Sequence, residues 1–204
     1  MNTTLQKFIS GCTKDFGSIP KERKTVLEKL AAFVRERKNN PQINLIFICV
    51  HNSRRSHLSQ TWAQIAANYY KLNNVYCYSG GTEVTALYPA AAEALEQQGV
   101  TVKKIAEGNN PIYTLKYDAN ARPIIGFSKL YDSPYNPQSG FAAVMVCSSA
   151  DTNCPYISTC DERFLISFED PKEFDGTPQQ MEKYLERSKQ IATELLYAFS
   201  KVEQ

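Results

Sequence analysis

The stretch INLIFICVHNSRRSHLSQTWA, residues 43–63, stops an apolar run at a thiol: Cys49 closes the run, and Arg54 and Arg55 follow within six residues. Five residues separate Cys49 from Arg55, a C-x-x-x-x-x-R spacing. A loop of that length can curl so that the planar guanidinium meets two oxygens of a tetrahedral oxyanion held over the sulfur. The residues between, Val50, His51, Asn52, Ser53 and Arg54, would wrap the anion with backbone amides. Ser56 follows as a hydroxyl donor, and the amides and guanidinium together would favour a thiolate. The chemistry implied is attack by sulfur on the central atom of an oxyanion. A plainer alternative makes Cys49 an inert buried thiol and the arginines solvated charges. Two arginines in a first helical turn oppose the macrodipole, however, and that alternative does not explain them.

Such a loop needs a strand before it and a helix after it. INLIFIC has the β-branched and aromatic composition of a strand buried on both faces. Residues 55–71 then carry Leu58, Trp62, Ile65 and Ala66 on one helical face. In an open parallel sheet, ligands gather at the carboxyl ends of strands, where a loop leads into a helix N-terminus. NVYCYS is a second strand, YPAAAEALEQQG a helix closed by Gly99, FAAVMVC and RFLISF a third and fourth strand, and residues 178–200 a closing helix. Upstream, residues 20–38 hold Val26, Leu27, Leu30, Phe33 and Val34 at helical spacing behind Pro20.

This alternation predicts an α/β chain, a three-layer sandwich around a four-stranded parallel sheet. Residues 1–42 read as an N-terminal helical extension packed on a domain spanning 43–204. Residues 109–140, rich in Tyr, Asn, Pro and Ser, break the rhythm and read as a hairpin-like insertion over one end of the sheet.

The chain has 204 residues, 43% hydrophobic and 22% charged, with a formal net charge of +2, enough for one sizeable core. That charge gives no basic stripe for nucleic acid. No apolar run reaches membrane-spanning length, and the N-terminus lacks a basic-then-apolar leader, so the expectation is a cytoplasmic protein with no membrane partner. In that compartment the six cysteines are expected as core, metal-binding or catalytic thiols.

FICVHNSRRSHLSQTWA resembles the active-site loop of the low-molecular-weight protein tyrosine phosphatase superfamily, which includes the thioredoxin-coupled arsenate reductases. VYCYSGGTE and LYPAAAEALEQQGV resemble the family's second strand, its Ser-small-Gly turn and the helix beyond. The resemblance covers residues 43–106 and 142–200 and implies a phosphatase-type anion loop after the first strand. It implies Cys49 as nucleophile, Asn52 as loop support, Arg55 as oxyanion clamp and Ser56 as the thiolate's partner. His51 and Arg54 depart from the family pattern, where a Gly and often a Cys stand.

VMVCSSADTNCPYISTCDERF is similar to the redox segment of the arsenate reductases, with Cys147 and Cys154 seven positions apart. The resemblance implies a relay: Cys49 attacks arsenic, Asp170 of FEDPKEF protonates the departing oxygen, Cys147 attacks Cys49, and Cys154 passes the disulfide to thioredoxin. Lys172 follows the Asp-Pro, as in reductases, where phosphatases tend to carry an aromatic residue. The alternative is hydrolysis of protein phosphotyrosine through a cysteinyl-phosphate, with Cys147 and Cys154 as unused thiols. A third reading is a non-enzymatic module that binds arsenate or phosphate. Cys147, Cys154 and Cys160 do not match paired zinc-ligand spacing, so no metal site is expected. Nor is any organic cofactor, and a monovalent cation beside the loop, as in some relatives, stays open. Asp132, in LYDSPYNP, is a second acid candidate.

Overall fold

The structure, a computed structural model, describes residues 1–147 and 157–202. In chain order the elements are α1 (Thr3–Lys14), α2 (Lys21–Glu36), β1 (Ile43–Cys49), α3 (Arg55–Tyr69), β2 (Val75–Gly81), α4 (Pro89–Gln97) and β3 (Thr101–Ala106). They continue with β4 (Ile112–Lys116), β5 (Ile124–Gly126), β6 (Phe141–Met145), β7 (Glu162–Leu165) and α5 (Gln180–Ser200). Four strands form a parallel sheet in the order β2-β1-β6-β7, with β1 paired to β2 through all seven of its residues. Six of those seven residues are buried, as expected of a strand covered on both faces.

The α/β architecture and the parallel four-stranded sheet agree with the sequence reading. Two elements were not foreseen. Helix α1 buries only Leu5, Ile9 and Cys12, too few apolar positions to stand out, and its start is fixed by Asn2, whose side chain accepts from the Leu5 amide at 2.9 Å. It docks on the end of α4: Asn2 Nδ2 donates to the Gly99 carbonyl at 2.8 Å, and a Cβ on Gly99, at φ +101°, would lie 2.5 Å from the Leu5 nitrogen.

The other is β3, which pairs antiparallel with β4, while β4 pairs with β5. None of its residues is buried, so it shows no buried face in the sequence. The Tyr-rich insertion does contain a hairpin, β4–β5. It is part of a separate three-stranded sheet that starts at Thr101, before the expected limits of 109–140. Only its final stretch reaches the parallel sheet's carboxyl end, where Gly81 N–H donates to the Lys129 carbonyl and Tyr131 N–H to the Gly81 carbonyl, both at 2.9 Å.

Strand β2 has a free edge, and side-chain amides close it. Gln64 Nε2 donates to the Val75 carbonyl at 3.1 Å, its Oε1 accepts from the Cys77 amide at 3.0 Å, and Gln60 Nε2 donates to the Cys77 carbonyl at 3.0 Å. One helix thus supplies the partners that another strand would. No helix among the described residues is long and apolar enough to cross a membrane.

Candidate active site

Cys49 is the last residue of β1, and residues 50–54 turn the chain into α3, whose first residue is Arg55. The loop's carbonyls are held from outside. Val50 O accepts from Thr82 and Glu83 amides at 2.8 and 2.9 Å, His51 O from the Ser128 hydroxyl at 2.9 Å, and Ser53 O from the Tyr88 amide at 3.0 Å. Carbonyls anchored outward leave the amides of the same turn available to an anion, at the N-terminus of α3.

Asn52 has φ +43°, a left-handed conformation that Asn tolerates better than most residues. Its buried side chain accepts from the Lys129 amide at 2.9 Å and donates to Ser56 Oγ at 2.8 Å, and Ser56 Oγ lies 3.1 Å from Cys49 Sγ. The insertion, Asn52, Ser56 and the thiol therefore form one hydrogen-bonded chain. Gly81 backs the loop closely: a Cβ there would lie 2.5 Å from Val50 O and 2.7 Å from the Asn52 nitrogen.

Arg55 brings the far end of the sequence to the loop. Its Nη1 donates to the Phe168 carbonyl at 2.8 Å and its Nη2 pairs with the Asp170 carboxylate, whose other oxygen accepts from the Lys172 amide at 3.1 Å. Thiol, guanidinium and carboxyl group thus meet at one end of the sheet. Cys147 stands one residue beyond Val146, whose amide donates to the Ile48 carbonyl at 2.9 Å; it is buried, at the carboxyl end of the strand beside β1. Cys154 lies outside the described residues. Cys160 follows none of this: it precedes β7, whose start pairs with the start of β6, at the opposite pole of the sheet.

Arg54 does more than the sequence indicated. Its guanidinium reaches Asp175 and the Tyr184 hydroxyl, and lies 4.1 Å from the Tyr88 ring centroid. Tyr184 in turn donates to Asp175 at 2.6 Å and stacks on Tyr88. Burial and the Asp175 carboxylate push the Tyr184 hydroxyl up, so it stays a donor. The loop's exit is thereby tied to α5. His51 sits on the rim, 3.4 Å from Glu83, and both side chains are exposed. Asp132 is exposed, beside Tyr131 at the Gly80–Gly81 turn, and makes no hydrogen bond to the loop among the described residues.

Behind the loop lie two buried bases that no sequence motif marks. His57 Nδ1 is 3.3 Å from Ser79 Oγ, and burial, with the Lys129 charge nearby, pushes it down to about 3, so it is neutral. Lys129 is 4% exposed, with its Nζ 3.5 Å from Ser79 Oγ and 4.7 Å from the Phe127 ring centroid, and burial lowers it to about 8. Among the described residues no group of three or more His, Cys, Asp or Glu converges as a metal site.

The site is built for cysteine-dependent oxyanion chemistry, and the chain is similar in sequence to arsenate reductases and in fold to low-molecular-weight protein tyrosine phosphatases. In sequence it is similar to the arsenate reductase of Staphylococcus aureus (strain Newman), 29% identical over 128 residues, 62% of this chain and 77% of that protein. Two solved structures share the fold. A YwlE mutant from Bacillus subtilis has a TM-score of 0.53 at 15% identity, covering 80% of this chain and 100% of that one. The low-molecular-weight phosphotyrosine phosphatase VcLMWPTP-2 from Vibrio cholerae O395 has a TM-score of 0.51 at 13% identity, covering 79% and 97%. No family model matches the chain.

Proposed function

We propose that this chain reduces arsenate to arsenite through Cys49, Cys147 and Cys154. The observation that carries the reading is a pair of thiols at the carboxyl ends of adjacent parallel strands, Cys49 on β1 and Cys147 just beyond β6. An oxyanion entering the loop takes the Arg55 fork, which frees the Asp170 carboxyl to carry a proton. The Cys49 thiolate attacks arsenic, one As–O bond breaks, and Asp170 protonates the departing oxygen so that it leaves as water. The Cys147 thiolate then attacks the Cys49 sulfur. An S–S bond forms, the S–As bond breaks, and its electron pair stays on arsenic, which leaves as arsenite. Cys154 attacks Cys147, returning Cys49 as thiolate, and the thioredoxin dithiol reduces the Cys147–Cys154 disulfide.

A monovalent cation enters none of these steps. Lys129, whose backbone amide donates to Asn52, holds its buried ammonium 3.5 Å from Ser79 Oγ, and that ammonium makes no ion pair among the described residues. A second cation beside it would meet like charge in a poorly solvated place, so the residues do not fit one there.

One observation favours the alternative, hydrolysis of protein phosphotyrosine through a cysteinyl-phosphate. Beside the loop a cleft of about 340 Å³, lined by His51, Ser53, Arg54, Tyr88 and Lys172, has room for a leaving group larger than hydroxide. Arsenate turnover with thioredoxin and hydrolysis of an aryl phosphate, measured in the parent and in Cys147→Ser, separate the two. The substitution is expected to abolish reduction and spare hydrolysis, and a parent that never reduces arsenate ends the reductase reading. Cys49→Ser is expected to abolish both activities; retention of either removes the nucleophile assignment, and a parent inactive in both leaves the oxyanion-binding module.

A further inference from the structure

The β4–β5 hairpin does not close tightly on the edge of β2 and the outer side of α3. Between them lies a cavity of about 440 Å³, within the size range of small-molecule sites. It is separate from the cleft beside the anion loop and shares no lining residue with it.

Its walls are uneven in a way that specifies a ligand. Leu72, Val75 and Ile124 give apolar surface, and Tyr76, Tyr117 and Tyr135 line it as aromatic residues. Two polar groups at its buried side lack adequate partners. Among the described residues, the Lys129 ammonium, 4% exposed, has only Ser79 Oγ at 3.5 Å and the rings of Phe127 and Tyr135, at 4.7 and 6.0 Å to their centroids, as partners. Gln60, 5% exposed, spends its Nε2 on the Cys77 carbonyl, and its Oε1 has no hydrogen-bond partner among the described residues. A buried acceptor left unpaired is costly, and a buried cation calls for an anion. Arg122, exposed, lines the same cavity.

We infer that this cavity is a second binding site, for a small aromatic carboxylic acid carrying a hydroxyl near its carboxylate. The carboxylate meets the Lys129 ammonium, the hydroxyl donates to Gln60 Oε1, and the ring lies among the tyrosines. One wall of the cavity comes from the hairpin, at Tyr117, Ile124 and Ile125, and the other from α3 and β2, at Gln60, Gln64, Val75 and Tyr76. The site stands independently of the reaction proposed for Cys49.

The test is calorimetric titration of the whole chain with 3-phenyllactate and with salicylate, using 2-phenylethylamine and benzyl alcohol as comparators lacking the acid. Binding of at least one of the two acids, and of neither comparator, is expected. Lys129→Met, which keeps the stem and removes the charge, is expected to weaken the acid at least about tenfold. Tyr135→Ala, at a 56% exposed position that cannot unfold the core, is expected to weaken it as well and stands in if Lys129→Met does not fold. Arg55→Met is expected to leave binding unchanged, because the catalytic loop is not involved. Absence of binding by both acids, loss of binding in Arg55→Met, or undiminished affinity in the folded Lys129→Met and Tyr135→Ala variants overturns the site.

Discussion

At the scale of single residues, two positions beside the loop carry testable consequences, one for its geometry and one for the stability of the fold behind it. Gly81 is one, because the backbone of the anion loop lies where its side chain would be. Adding a methyl 2.5 Å from Val50 O and 2.7 Å from the Asn52 nitrogen forces the loop outward, since both neighbours are backbone. Gly81→Ala is therefore expected to lower stability by about 1–3 kcal/mol and kcat/KM by about a hundredfold or more, measured by denaturant unfolding and steady-state kinetics; near-parental kinetics would mean that the loop has slack. The second is His57. Its folded value of about 3 lies below its ordinary 6.5, so between these values the unfolded chain binds the extra proton and the folded one does not. The stability present above about pH 6.5 is thus lost as pH falls toward about 3, by an amount on the order of 5 kcal/mol. Unfolding curves across that window should show the loss, and His57→Gln should flatten it; an unchanged pH slope in the variant would assign the loss to other groups.

At the scale of elements, what was legible in the sequence was what repeats along it. INLIFIC, the 55–71 face and the 178–200 face carry dense local periodicity, and each appears within a few residues of its expected bounds. Helix α1 and strand β3 were missed because their stability comes from distant partners, Gly99 for the one and β4 for the other. Gln60 and Gln64 show the same limit more sharply. On a helical wheel they are ordinary polar residues, yet they satisfy three backbone groups on the open edge of β2. Gln64→Leu leaves the Val75 carbonyl and the Cys77 amide without these partners, at about 1–3 kcal/mol. The expected result is a Tm lowered by several degrees with kcat/KM little changed, since the catalytic end of β2 is held by Gly81 and Lys129 instead. A Tm equal to the parent's would mean that water caps that edge as well as the glutamine does.

At the scale of the whole molecule, the site was legible only in part, for a reason of distance. Cys49 and Arg55 are neighbours in sequence, and Asp170 sits in a short recognisable run. Arg54 finds Asp175 and Tyr184 at separations of 121 and 130 residues, which no local pattern reports. The N-terminal helices raise the same question for residues 1–42, which the sequence reading treated as an extension. Leu5, Ile9, Leu27, Leu30, Phe33 and Val34 are all buried in the same cluster as β1 and α5, and Phe8 stacks on Trp62 of α3. Arg23 of α2 lies 4.7 Å from the ring centroid of Phe168 and pairs with Glu194 of α5, and Phe168 supplies the carbonyl that holds Arg55. Six large apolar side chains at about 2 kcal/mol each match the whole stability of a typical domain, about 5–15 kcal/mol. A chain of residues 43–204 alone is therefore expected to lack a cooperative unfolding transition and to hydrolyse or reduce nothing, as read by near-UV circular dichroism, calorimetry and both activity assays. Adding residues 1–42 as a separate peptide should restore part of the signal if the helices dock on a preformed surface. A truncated chain that melts cooperatively and keeps parental kcat/KM would return those helices to the standing of an appendage.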